Sequence, residues 1–167
     1  MTQAYLNVEE FDFLGRRWWI ALTSEDMCVI LTHFSDGRRV ALRQIRPKVS
    51  GRVLTPPMGV FSARSSAEGL DDARREAESE TGYRVLDIRY LFTVYRSPGL
   101  TNQRAHVYVA TLGDEHIGQA LHVDEDIKVI TLPGAFTPND VFSEFDGDHF
   151  DAAFWYYFLP DVATIEL

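Results

Sequence analysis

Cysteine is almost absent: Cys28 is the only one among 167 residues. That excludes an intrachain disulfide and any cysteine-cluster metal site, and it fits a chain of the reducing cytoplasm. Long apolar runs are missing as well. No stretch approaches the roughly 20 residues a membrane-spanning helix needs. The opening residues, MTQAYLNVEE, hold neither a basic segment nor an apolar run, so no signal peptide is expected. There is no glycine-rich phosphate loop and no nucleophile elbow. The histidines (33, 106, 116, 122 and 149) lack metal-ligand spacing. Positive charge is short overall, with 16 Lys and Arg against 25 Asp and Glu and a net charge of −9. Such a balance argues against nucleic acid or an anionic membrane as a partner.

What remains is an ordinary globular composition, 46% apolar and 25% charged, with no repeat or linker. Residues 1–167 are expected to form one domain with a sizeable core. The scarce positive charge is concentrated. Arg38, Arg39, Arg43, Arg46, Lys48 and Arg52 follow one another with no acid between them, whereas the chain after residue 113 has Lys128 as its one base. A solvated strand and loop accounts for most of such a run. The sharper reading is a local site for an anionic group.

Residues 28–34 and 39–45 are rich in strand formers and flank Asp36-Gly37, which predicts a hairpin. Aromatic and branched residues within 10–22 predict one or two strands upstream, and Pro56-Pro57 with Gly59 predict a break. Leu70, Ala73 and Ala77 recur at helical spacing, so residues 69–81 read as a helix favoured by Asp71 and Asp72 at its start and stopped by Gly82. Strands are predicted at 85–95, 104–111 and 127–132, and an aromatic helix in HFDAAFWYYFL near the end. The order predicts an α+β fold or an α/β/α sandwich.

The helix at 69–81 has an unusual face. At about 100° per residue, with Glu76 at zero, Glu80 falls near +40°, Asp72 near −40° and Ser79 near −60°, beside the apolar stripe at roughly +60° to +120°. Like charges one turn apart destabilise a helix by about 0.2–0.5 kcal/mol per pair. A divalent cation would remove that cost, and magnesium prefers such oxygen-rich, water-retaining sites. A solvated acidic face is the plainer alternative.

The surrounding residues resemble the Nudix hydrolase family, whose box reads G-x5-E-x7-R-E-U-x-E-E-x-G-U with U bulky and apolar. Arg75-Glu76-Ala77-Glu78-Ser79-Glu80-Thr81-Gly82-Tyr83 is similar to its second half, and Pro57-Met58-Gly59 is similar to the Pro-x-Gly that opens it in the ADP-ribose pyrophosphatase branch. ALRQIRPKVSGRVLTPPMG, SPGLTNQRAHVYVA and DEDIKVITLP resemble further segments of that branch in the same order, over roughly residues 28 to 135. The resemblance implies a Nudix fold, an α/β/α sandwich with a mixed β-sheet and the loop-helix-loop of the box. It implies Mg2+ or Mn2+ as cofactor, held by Glu76 and Glu80 with help from Asp72. Glu125 is the implied general base, with Asp124 and Asp126 as substitutes. Gly59, Arg75 and Gly82 take structural roles in the box. The implied substrate is a small nucleoside diphosphate compound, ADP-ribose or a nucleotide sugar, met by Arg43, Arg46 and Arg52 and stacked on Trp19 or Trp18. Packing in a core or dimer interface is the other reading of those tryptophans. The branch further implies a homodimer that uses strands within residues 1–27.

The box also departs from its pattern. Ser79 replaces a metal-binding glutamate, Ala67 stands where another belongs with Glu68 one place off, and Gln103 replaces the glutamate of the SPG segment. Gly59 is out of register as the box glycine. Two readings follow: a diphosphate hydrolase working with fewer metals, or a repurposed Nudix-fold protein that binds a nucleotide or metabolite without hydrolysing it.

Overall fold

The computed structural model describes residues 6–23, 25–46, 49, 51–61, 69–123 and 125–159. Lys48, Ala67, Glu68 and Asp124 lie outside the described residues. Strands β1 (Leu6–Phe13) and β2 (Arg16–Thr23) form a hairpin apart from the main sheet. Its turn, Leu14-Gly15, has φ of 52° and 71°, the sense that suits the twist of paired strands. The one or two strands expected upstream are two, and they start earlier than residue 10.

The main sheet is built from β3 (Asp26–Phe34), β4 (Arg39–Ile45), β5 (Arg52–Thr55), β6 (Met58–Phe61), β7 (Tyr83–Tyr95), β8 (Arg104–His116), β9 (Ile127–Leu132) and β10 (His149–Phe150). Its main path runs β10-β5-β4-β3-β8-β7, with β6 on β3 and β9 on β4. The β3–β8 and β10–β5 pairs are parallel and the rest antiparallel, so the sheet is mixed. The β3–β4 hairpin forms as the Asp36-Gly37 signal predicts. Phe34 N–H donates to Arg38 O (2.8 Å) and Gly37 takes φ of 86°. The two strands then pair only at Thr32–Val40 and His33–Arg39. Beyond that point β3 pairs with β6, and β4 with β5 and β9.

The break expected at Pro56-Pro57 and Gly59 is only a corner. The chain turns at the two prolines and re-enters the sheet as β6, with Gly59 inside the strand opposite Cys28. The sequence near the end differs more. HFDAAFWYYFL forms the short β10 and a 3-10 helix, Ala152–Phe158, rather than an α-helix. Asp151 caps it by accepting from Ala153 N–H (2.8 Å). An unpredicted helix, α2 (Pro138–Glu144), precedes it. Thr137 and Asp140 close its first turn as a reciprocal capping box, with Pro138 at the first helical position.

Alternation along β3 separates two cores. Val29 and Leu31 face Leu54, Val107, Val109, Phe154 and Tyr157, under α2 and the 3-10 helix. Cys28, Ile30 and Phe34 face Tyr108, Leu112, Ala73 and Ala77, under α1 (Leu70–Thr81). Both alanines are fully buried. Their small size lets α1 sit close to the sheet, and a helix that close holds whatever its adjoining face carries at the sheet surface. The layers are those expected: α1, a mixed sheet, and α2 with the 3-10 helix.

Candidate functional site

Helix α1 ends at Gly82, whose φ of 73° is left-handed and whose N–H donates to Glu78 O (2.9 Å). Glycine adopts that conformation without the penalty a side chain brings. Helix and β6 then meet edge to edge. Met58 N–H donates to Glu80 Oε2 (2.9 Å), and only 4% of Glu80 is exposed. Glu76, one turn earlier, lies against Gly59. A Cβ built on that glycine would stand 2.2 Å from Glu76 Oε1. Gly59 therefore serves as the place where a strand backbone admits a carboxylate.

Electrostatics bring further residues to the same point. Burial pushes the Glu80 carboxyl up to about 8, reinforced by the charges of Glu76 and Glu125 and opposed by the Met58 N–H and Arg46. Glu76 is raised too, by burial first and then by Glu125 and Asp72, against Arg75 and His122. Glu125 arrives on the loop before β9, where its Oε2 accepts from His122 N–H (2.8 Å) and its own N–H donates to His122 O (3.1 Å). Asp72 accepts from Arg75 Nη2 (2.8 Å).

Of the residues singled out in the sequence, Glu76, Glu80, Glu125, Asp72, Arg75, Gly59 and Arg46 thus share one neighbourhood. His122 joins them without any signal in the sequence, because a loop histidine carries no spacing that marks it. Arg43 goes elsewhere. It stands an odd number of residues from Arg46 on the chain, so β4 directs it to the opposite face, where its Nε lies 2.7 Å from Asp148 Oδ2 and its Nη2 donates to Oδ1 (2.9 Å). Arg52 heads β5 in register with Ile45. Trp19 and Trp18 are 59% and 45% exposed on the separate hairpin.

The departures from the box are visible as well. Ser79 Oγ donates back to Glu76 O (3.1 Å), within the helix. Gln103 Nε2 donates to Glu25 O (3.4 Å). Among the described residues no three His, Cys, Asp or Glu side chains converge closely enough to cage a metal ion. The donor set present is therefore an open one: buried Glu80 and half-buried Glu76, whose proton affinity is raised by burial first and by neighbouring carboxylates second, with the charge of Glu125 acting on both. Such a set fits a hard cation that keeps water and takes further oxygens from a substrate.

No protein-family model matches the chain. The GDP-mannose pyrophosphatases of Escherichia coli K12 and Citrobacter koseri are each 42% identical over 62 residues, 36% of this chain and 32% of theirs. The match thus spans about a third of the length of these curated relatives. The crystal structure of an ADP compounds hydrolase superposes with a TM-score of 0.63 at 18% identity, covering 84% of this chain and 75% of that one. With the mixed sheet and α1 already in place, the chain has the Nudix fold.

Proposed function

We propose that the chain is a Nudix hydrolase that cleaves the diphosphate linkage of a small nucleoside diphosphate compound of the ADP-ribose or nucleotide-sugar type, with Mg2+ or Mn2+. The observation that carries this reading is the pairing of Glu76 and Glu80 beneath β6, with Gly59 making room for one and the Met58 N–H orienting the other. Arg75, next to Glu76 in the chain, pairs with Asp72 and forms no ion pair with either glutamate among the described residues. The resemblance to curated GDP-mannose pyrophosphatases supports the substrate class.

In this reading Glu76 and Glu80 hold the divalent cation, with Asp72 at the rim. Bound there, the cation neutralises phosphoryl oxygens and increases the acidity of a water molecule. Glu125, anchored by the His122 N–H, takes the proton from the attacking water. Its carboxylate is close enough to raise the proton affinity of both helix glutamates. Arg46 supplies positive charge beside Glu80, suited to a phosphate oxygen. Arg52 and Trp19 complete the substrate contacts if the nucleotide extends toward the hairpin or a second copy.

The alternative reading, a Nudix-fold protein that binds without cleaving, is favoured by Ser79, whose hydroxyl is turned to the helix backbone, and by neutral Gln103. One experiment separates the two. Product formation is measured from ADP-ribose, GDP-mannose and other nucleotide sugars with magnesium, manganese or chelator, beside Glu76→Gln. Hydrolysis predicts metal-dependent turnover that falls at least about 100-fold in the variant. Ligand binding with no product under any condition identifies the binder.

A further inference from the structure

We propose that the fold carries a second small-molecule site, for a compact organic carboxylate, at the β3–β4 turn on the sheet face away from the acidic cluster. A cavity of about 540 Å³ opens there, within the range of roughly 300–1,000 Å³ typical of ligand pockets. Leu31 and Val109 line it from β3 and β8, Leu159 from the end of the 3-10 helix, and His33 and Arg39 from the paired ends of the hairpin. Alternation places Leu31, His33 and Arg39 on the face opposite α1. The position is also at the far end of β3 from Cys28, where Gly59 and Glu76 meet. Five residues of strand separate Cys28 from His33, roughly 16 Å. This cavity is therefore separate from the proposed hydrolytic centre.

Arg39 supplies the reason to expect an anion. Its guanidinium is half-buried, lies over the Phe158 ring (5.0 Å to the centroid), and donates one hydrogen bond, from Nη1 to Phe136 O (3.2 Å). Among the described residues no carboxylate pairs with it. Arg43, four residues along on the same face, has Asp148. The acid on the cavity wall, Asp36, is taken by Arg38 (2.6 Å). A desolvated guanidinium with donors to spare costs free energy until an anion meets it.

The rest of the wall defines the ligand body. Tyr157 presents its ring, because its hydroxyl already donates to Val40 O (2.6 Å). With Leu31, Val109 and Leu159 it makes an apolar enclosure. The rim is held by close backbone packing: a Cβ on Gly134 would stand 2.9 Å from Gly37 O. One guanidinium fork matches the two coplanar oxygens of a carboxylate. A phosphate dianion would call for more positive charge than a single arginine offers in a protein of net charge −9. The ligand class is thus a monocarboxylate with a flat or branched apolar body.

The test is an amide-resolved NMR titration of the full chain with 3-phenylpropionate, 3-phenylpropionamide and inorganic phosphate. Wild type is run beside Arg39→Gln, Arg39→Lys and Arg38→Gln. Expected are saturable shifts at Val40, Ala41 and Gly134 with the acid, affinity at least about tenfold weaker for the amide, and loss of that preference in Arg39→Gln. Arg39→Lys should fall between, and Arg38→Gln, which releases the Asp36 carboxylate beside Arg39, should weaken binding of the acid while keeping its preference over the amide. If Arg39→Gln does not fold, the acid-against-amide comparison in wild type decides. The proposal fails if the acid gives no saturable shifts, if acid and amide bind alike, if the shifts centre on Met58 and Gly59, or if phosphate binds more tightly than the carboxylate.

Discussion

Glu80 is the residue on which burial, charge and function pull in different directions. Its carboxyl is raised to about 8, against roughly 4.3 in an unfolded chain. Between those values the folded state binds a proton that the unfolded state has released. Stability therefore falls as pH rises through that window and levels off above it. Thermal unfolding of the metal-free protein should show a decline in Tm from about pH 5 to about pH 8, and Glu80→Gln should flatten it. A wild-type Tm that does not decline over this range would place Glu80 in a more solvated setting. Manganese or magnesium added at pH 8 should raise the wild-type Tm and leave that of Glu80→Gln nearly unchanged.

Ser79 invites the opposite substitution. Replacing it with glutamate restores a carboxylate one residue from Glu80, and manganese affinity should rise about tenfold, or ~1.4 kcal/mol, read by the resonance signal of free manganese. If affinity does not change, position 79 faces away from the ion and the serine is no deficit.

At the scale of elements, the joint between α1 and β6 decides whether the carboxylates can be buried together. The Gly59 Cβ position coincides with the Glu76 carboxylate, so Gly59→Ala should destabilise by about 1–3 kcal/mol, the usual cost of overpacking. The same change made on a Glu76→Ser background should cost much less, and denaturant titration of the four proteins of that cycle measures the coupling. Equal costs in both backgrounds would mean that β6 is strained by something other than Glu76. Gly82 tests the other end of the helix. Its left-handed φ makes Gly82→Ala unfavourable by about 1 kcal/mol, and the loss should appear as a lower denaturation midpoint with an unchanged slope.

At the scale of the whole molecule, the β1–β2 hairpin stands out. Val8, Leu14, Trp18 and Trp19 are 66%, 86%, 45% and 59% exposed, and the hairpin meets the body through bonds such as Ala21 N–H to Leu100 O (2.7 Å) and Thr23 N–H to Asn102 Oδ1 (2.8 Å). A lone two-stranded ribbon is marginal in water, and large exposed apolar patches usually mark interfaces. We expect a homodimer through this hairpin. Light scattering after gel filtration should give twice the chain mass, and Trp18→Glu with Trp19→Glu should give the monomer while the main unfolding transition persists. A monomeric wild type would return the tryptophans to the role of ligand platform or leave them for another partner.

Local signals in the sequence determined a good deal. Helical spacing of Leu70, Ala73 and Ala77 with a stop at Gly82 marked α1 nearly to the residue, because an amphipathic stripe and a left-handed cap are both encoded within a few positions. Asp36-Gly37 marked the hairpin for the same reason, and the spacing of Glu76 and Glu80 marked the acidic face. The tertiary structure alone decided what those charges meet. Whether Glu80 is solvated or buried depends on a backbone N–H from Met58, and whether Glu125 faces it depends on a loop far along the chain. Arg43 and Arg46 look alike in sequence, yet strand parity sends one to Asp148 and the other toward Glu80. Propensity and periodicity act between near neighbours, whereas burial and Coulomb interactions act between residues that only folding brings together.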